Sequence, residues 1–210
     1  IYALKAAIYE LKTMPKGPIH INLSKDVLSS EDFQDFDLCY LCEDDMSQIG
    51  DAQEMINSSE KPLFILGAGA LSQCDKIGEI AHKYQIPVTT TFHAKGIISE
   101  FDDLVLGLSG IRSTPRAKYA FENSDCIIAL GIKASERTLP EIPDNLIHVN
   151  LNRDVLVGDC QIHGKVEDFL AEINFKKVSW MDEILQIDNS VYIENLDDDL
   201  APQAAIKRNR

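Results

Sequence analysis

Two short runs, Leu63-Phe64-Ile65-Leu66 and Cys126-Ile127-Ile128-Ala129-Leu130, are apolar at every position. A strand with one wet face alternates apolar and polar side chains. A run with no polar member fits a strand covered on both faces, as in a parallel sheet between helices. Each run ends in glycine, Gly67 or Gly131. Around these two anchors, segments of strand and helix character alternate in units of about 30 residues, the pattern of a doubly wound α/β sheet.

Along the chain, Ile1, Leu4, Ala7, Ile8 and Leu11 fall on one helical stripe over residues 1–12. Gly17-Pro18 breaks it, and Ile19, Ile21 and Leu23 alternate as a short strand does. Residues 29–45 are acidic, lack periodicity and read as a linker. A helix is predicted from Ser47 to Ile56, with Ser47 as its N-cap. The first apolar run then leads through Gly67-Ala68-Gly69-Ala70 into a helix over residues 72–84 that turns Ile77, Ile80 and Ala81 inward. Residues 86–91 are a second strand, and 101–110 read as loop with a little extended structure. A helix over 113–122, the strand Cys126–Leu130, a strand over 146–150 and a helix over 165–173 complete the pattern. No packed element is predicted beyond Asn174, and there is no internal repeat.

Composition narrows the function classes. Of 210 residues, 45% are hydrophobic, enough for a substantial core, yet no apolar run approaches the ~20 residues of a membrane span. Twenty basic residues stand against 34 acidic ones, a net charge of −14 that repels phosphate backbones and anionic lipid. Nucleic acid and membrane are therefore excluded as expected partners. The five cysteines are unevenly spaced and follow no secretory segment, which predicts reduced thiols and a cytoplasmic setting. The chain starts at Ile1 inside a helical pattern and reads as a piece of a longer polypeptide.

The Gly67-Ala68-Gly69 turn between a buried strand and a helix admits two readings. Small residues there let a phosphate approach the backbone at a helix N-terminus. They equally allow nothing more than a tight strand-to-helix turn. Cys39-Tyr40-Leu41-Cys42 has the spacing of half a zinc site, but neither Cys74 nor Cys126 has the partner that a second half requires. No metal site is expected. His148 lies inside an apolar strand and reads as a hydrogen-bonded core residue. His93, on a loop at a strand's C-terminal end, is the histidine best placed to meet a ligand. No nucleophile–histidine–acid order or paired carboxylate stands out, and no catalytic residue is assigned. The acid run Glu43-Asp44-Asp45 reads as solvated linker.

Six segments, in order, resemble the central region of thiamine-diphosphate (ThDP) enzymes of the acetolactate-synthase and oxalyl-CoA-decarboxylase type. They are Gly17-Pro18-Ile19-His20 through Lys25-Asp26-Val27, Lys61-Pro62 through Gly69, Ile86-Pro87-Val88-Thr89-Thr90 with Lys95-Gly96, Gly107-Leu108-Ser109-Gly110, Ser124-Asp125 through Gly131, and Ile147-His148-Val149-Asn150. Ser24 stands where the family commonly has proline. Leu200-Ala201-Pro202-Gln203 is similar to the approach to the family's diphosphate-binding domain. The resemblance implies a Rossmann-like, doubly wound parallel sheet of the NAD/FAD-binding (DHS-like) kind. It divides the chain into the end of a pyrimidine-binding domain (1–28), a linker (29–46), the central domain (47–175) and a linker toward the diphosphate domain (176–210).

It further implies that the full-length protein acts on 2-oxoacid-like substrates with ThDP and magnesium held by those neighbouring domains, as a homodimer or homotetramer. The family's central domain also binds FAD or ADP, and the matching positions here are Gly67, Ala68, Gly69, Thr90, Gly110, Gly131, Lys133, Arg137 and Asn150. Three of the family's nucleotide-marking residues differ. Lys133 replaces an arginine and loses its planar fork. Asn150 replaces an aspartate, and Lys165 replaces the aspartate of a Gly-Asp pair. These changes weigh toward an architectural role. The alternative is a stand-alone NAD- or NADP-binding module, or a sirtuin-like enzyme, which would call for a four-cysteine zinc site.

Overall fold

The computed structural model describes residues 44–189 throughout, together with residues 7, 8, 11, 17–22, 24 and 25. Six strands form one parallel sheet: β1 (Pro62–Leu66), β2 (Val88–Thr90), β3 (Val105–Leu108), β4 (Cys126–Leu130), β5 (Leu146–Asn150) and β6 (Cys160–His163). Their spatial order is β3-β2-β1-β4-β5-β6. The helices are α1 (Ile49–Ser58), α2 (Cys74–Tyr84), α3 (Pro115–Asn123), α4 (Val166–Glu172) and α5 (Met181–Leu185). β1 and β4 are the two wholly apolar runs, and they pair at the centre of the sheet, Leu63 opposite Ile127 and Leu66 opposite Leu130. Both are buried at every position, as strands covered on two faces must be. Each large side chain among them contributes roughly 1.5–3 kcal/mol by leaving water.

Residues that set the element ends are mostly local. α2 stops at Gln85, which takes the left-handed conformation (φ 58) that glycine adopts more cheaply. Pro115 opens α3 at a position where its missing N–H costs nothing. At the other end of the sheet, Asp125 gathers Ser59 Oγ and the N–H groups of Glu60 and Lys61, tying the start of β1 to the start of β4. Burial works to raise its carboxyl, but these hydrogen bonds outweigh burial and hold it below the usual carboxylate range.

Several expectations need correction. Ser47 does not cap α1; its hydroxyl and N–H both turn back to Asp45 Oδ1, and Gln48 precedes the helix. Asp45 is already fixed by an antiparallel bridge to His163, so Ser47 has a nearer partner. The helix expected from Ser72 begins at Cys74, because residues 68–73 form a 3₁₀ turn. The segment at 101–110 contains a true edge strand, β3. β6 has no clear sequence signature, since Cys160-Gln161-Ile162-His163 is short and keeps one exposed polar member. Residues 17–22 make no ladder, because no described strand lies beside them. Residues 7, 8 and 11 of the expected first helix are helical. Cys39, Cys42, the remainder of the 29–43 linker and residues 190–210 lie outside the described residues.

The largest correction concerns the stretch after Asn174, expected as linker. Gln53 bonds both the N–H and the C=O of Asn174, at 2.7 and 2.8 Å. Phe175 packs against Phe64 and Tyr84, with ring centroids 5.6 and 5.9 Å apart. Trp180 is buried and donates its indole N–H to the Pro62 carbonyl at 3.1 Å. Glu183 accepts both from Lys61 and from the Tyr119 hydroxyl. The Arg116 guanidinium holds the carbonyls of Leu185 and Ile187. The segment thus straps the amino-terminal edge of the sheet from α1 to α3. Its apolar residues are too irregularly spaced to announce a helix, and only the tertiary partners reveal it.

Candidate ligand cleft at the strand switch point

In this strand order the parallel strands run outward from β1 on one side and from β4 on the other, so the order reverses between them and a crevice opens beyond their carboxyl ends, where ligands bind in open α/β sheets. A cleft of about 360 Å³ occupies that place. Of the expected residues, Gly67, Ala68, Gly69, Gly131, Lys133 and Asn150 line it. So do His93 and Thr91 from the turn after β2, and Thr138, Asn152, Val155 and Val166. Thr90, Gly110 and Arg137 do not. Thr90 is fully buried in β2, and its hydroxyl finds no partner among the described residues. Gly110 (φ 89) packs flat against the Arg137 carbonyl, where a Cβ would collide with that oxygen. The Arg137 side chain is exposed.

The glycines of the cleft face each other. A Cβ on Gly67 would strike the Gly131 carbonyl, and one on Gly69 would lie 2.8 Å from Gly131 Cα. Gly131 itself has φ 61, and a Cβ there would lie 2.5 Å from the Gly69 carbonyl carbon. The two turns are packed backbone to backbone, and their hydrogen bonds follow suit. Gly67 N–H donates to Leu130 O at 2.9 Å, Gly69 N–H to Gly131 O at 3.0 Å, and Ala70 N–H to Gly67 O at 3.0 Å.

The far wall is held by β5. Asn150 Nδ2 donates to Ile132 O at 2.6 Å, and Asn150 Oδ1 accepts the N–H of Asn152. His148 reaches the same carbonyl through Nε2 at 3.2 Å. Its Nδ1 accepts the Val157 N–H at 3.1 Å, so the proton resides on Nε2 and the ring is neutral. Burial lowers the His148 pKa, with the two backbone contacts opposing it, in keeping with a neutral core histidine. Asn152 caps the 3₁₀ turn at 153–155 by accepting from Asp154 N–H, a role its Asn-x-Asp spacing does signal. The Ile132 carbonyl, the junction of this network, has no sequence signature.

Lys133 carries the only formal charge of the lining; it is exposed and makes no ion pair among the described residues. No carboxylate lines the cleft, so His93 has no acid partner there and no general acid–base pair is assembled. Among the described residues no three His, Cys, Asp or Glu side chains gather as metal ligands. Cys126 and Cys160 are free and buried; desolvation pushes their thiols up to about 12 and about 11, so neither is reactive.

The profile of the family described as "Thiamine pyrophosphate enzyme, central domain" matches residues 49–173. The chain belongs to this family. It is similar to the probable acetolactate synthase large subunit of Methanocaldococcus jannaschii, 29% identical over 96% of this chain and 39% of that protein. It is 32% identical to the acetolactate synthase large subunit of Porphyra purpurea, over 85% of this chain and 35% of the relative. It is 30% identical to acetolactate synthase isozyme 1 large subunit of Escherichia coli K12, over 60% of this chain and 24% of the relative. The chain spans about a quarter to two fifths of the length of these curated relatives. Family membership leaves the stand-alone NAD-module and sirtuin-like alternatives without support. No helix among the described residues is long and apolar enough to cross a membrane.

The residues present do not fit an FAD or ADP diphosphate. Such a group needs backbone N–H donors aimed at it from a glycine turn that opens an α-helix. Here three N–H groups of the turn are bonded within the protein, and the glycines lead into a 3₁₀ turn over residues 68–73, which includes Gly69, before α2 begins at Cys74. The ribose carboxylate is replaced by Asn150, whose amide already serves Ile132 and Asn152.

Proposed function

We propose that this chain is the middle domain of a ThDP enzyme of the acetolactate-synthase type, acting in its parent on 2-oxoacid-like substrates and not catalytic by itself. The observation that carries this reading is a match along nearly the whole chain to acetolactate synthase large subunits, on a parallel sheet whose switch-point cleft holds no acid–base pair. On this reading residues 1–28 end a pyrimidine-binding domain and 29–46 are linker. The central domain runs from 47 through the strap to about 189, since α5 is packed on α3 and β1. The chain from 190 leads toward the diphosphate-binding domain.

ThDP and its magnesium ion would be held by those neighbouring domains, and the cofactor supplies the carbanion chemistry that 2-oxoacid cleavage requires. This domain's own contribution is rigidity. The strap closes the lower edge of the sheet, and the paired glycine turns fix its upper edge. A cytoplasmic homodimer or homotetramer is the proposed form of the parent.

The test is turnover of pyruvate and other 2-oxoacids by the full-length protein, following carbon dioxide release before and after removal of ThDP and magnesium. Activity lost on removal and restored on readdition is expected, with none from the 210-residue chain alone. Turnover by this chain alone, or a full-length protein indifferent to ThDP, would overturn the proposal.

A further inference from the structure

We infer that the switch-point cleft of this domain is sealed against dinucleotides by its own backbone, so that neither FAD nor ADP occupies it. The consequence for the parent, a ThDP enzyme that works without a bound flavin, rests on the middle-domain proposal; the sealing itself does not.

Three independent features lead to the same conclusion. The first is hydrogen bonding. A phosphate cradle must leave several N–H groups of the glycine turn unbonded until the ligand arrives. Here Gly67, Gly69 and Ala70 donate to Leu130, Gly131 and Gly67. Presenting them to a phosphate would leave the Leu130 and Gly131 carbonyls without those donors. The second is steric. The space vacated by the missing side chains at Gly67 and Gly69 is filled by Gly131 and Ile132 rather than left open. Glycine is required here for one turn to approach another, not for a ligand to approach the turn. The third is the opposite wall. Asn150 Nδ2 and His148 Nε2 both donate to Ile132 O, which locks the turn after β4 in place. A carboxylate at position 150 could accept from a ribose hydroxyl but would repel that carbonyl. The asparagine therefore suits the protein's own bond better than a ligand's.

Side-chain loss alone would predict something different. If only Lys133, Asn150 and Lys165 were at fault, restoring a fork and two carboxylates would restore binding. Backbone sealing predicts that it would not.

The test uses the 210-residue chain with FAD and ADP as probes. A ligand with a Kd near 10 µM, supplied at 1 mM, would raise Tm by roughly 5–10 °C. The expected shift is below about 1 °C for both, with no saturable heat by calorimetry. Amide hydrogen exchange gives a readout that needs no ligand. Gly69 and Ala70 N–H are expected to be protected in the ligand-free chain, whereas an open cradle would exchange at the unprotected rate. Lys133→Arg, at an exposed position that tolerates it, and Lys133→Arg with Asn150→Asp and Lys165→Asp are both expected to remain non-binding. Saturable FAD or ADP binding by the unaltered chain would overturn the inference, as would fast exchange at Gly69 and Ala70. Binding gained by either variant would place the defect in the side chains and overturn backbone sealing.

Discussion

Replacing Gly131 by alanine tests the packing of the two turns most sharply. Position 131 has φ 61, a conformation that costs a residue with a Cβ about 1–2 kcal/mol. The added methyl carbon would also stand 2.5 Å from the Gly69 carbonyl carbon, 2.6 Å from its Cα and 2.7 Å from Ala70 N. All three are backbone atoms in a hydrogen-bonded turn, so they cannot swing aside as the tip of a long side chain would. Relieving such an overlap costs typically 1–3 kcal/mol. Together the two effects amount to roughly 2–5 kcal/mol, a large share of the ~5–15 kcal/mol that stabilises an ordinary domain. Gly78 provides the control. It lies in α2, and a Cβ there meets nothing within 4 Å. Gly78→Ala is expected to stabilise by about 0.5–1 kcal/mol through helix propensity. Thermal unfolding followed by circular dichroism on the three proteins should show Gly131→Ala lower by roughly 5–15 °C and Gly78→Ala slightly higher. A Gly131→Ala protein melting within about 2 °C of the unaltered chain would refute the close packing of the turns.

Other expectations follow from the strap, the lower clasp and the end of α2. Trp180→Phe removes the donor to the Pro62 carbonyl, and a loss of about 1–3 kcal/mol in urea unfolding is expected; an unchanged midpoint would show that the indole bond contributes nothing. Hydrogen bonds hold the Asp125 carboxyl below its ordinary value of 3.8, so its contribution is complete above that pH and is lost as pH falls through the lower folded value. The advantage of the unaltered chain over Asp125→Asn should therefore be full at pH 6 and shrink on acidification below about pH 4, and a difference independent of pH would contradict the clasp. Gln85→Gly, at the left-handed end of α2, should stabilise by a few tenths to about 1 kcal/mol, and a lowered Tm would show that the Gln85 side chain matters more than its backbone strain.

What could be read from the sequence depended on how local its cause was. β1 and β4 are written in contiguous apolar residues and β5 in an apolar run broken only by His148 before Asn150, and their positions in the structure follow those runs closely. The core role of His148 was likewise legible from its apolar neighbours. β6 and the strap were not, because Gln161 breaks the apolar run and the strap is fixed by bonds distant in sequence, Trp180 to the Pro62 carbonyl and Val178 N–H to the Tyr84 carbonyl. The glycine turn shows the limit most clearly. Gly67-Ala68-Gly69 has one spelling for two purposes, approach of a phosphate or approach of another turn. Only the position of Gly131, 62 residues further on and opposite in space, distinguishes them. The family resemblance places Thr90, Gly110 and Arg137 at the cleft, whereas Thr90 is enclosed within the sheet and Gly110 meets Arg137 outside the cleft lining.

The most direct test of the whole account is the cofactor content of the full-length protein purified without added cofactors, released by denaturation and quantified by mass spectrometry. A ThDP enzyme built around this middle domain should yield stoichiometric thiamine diphosphate with neither FAD nor ADP above trace. Stoichiometric flavin or adenine nucleotide traced to this domain, or a protein that takes up no thiamine diphosphate even when it is supplied, would contradict it.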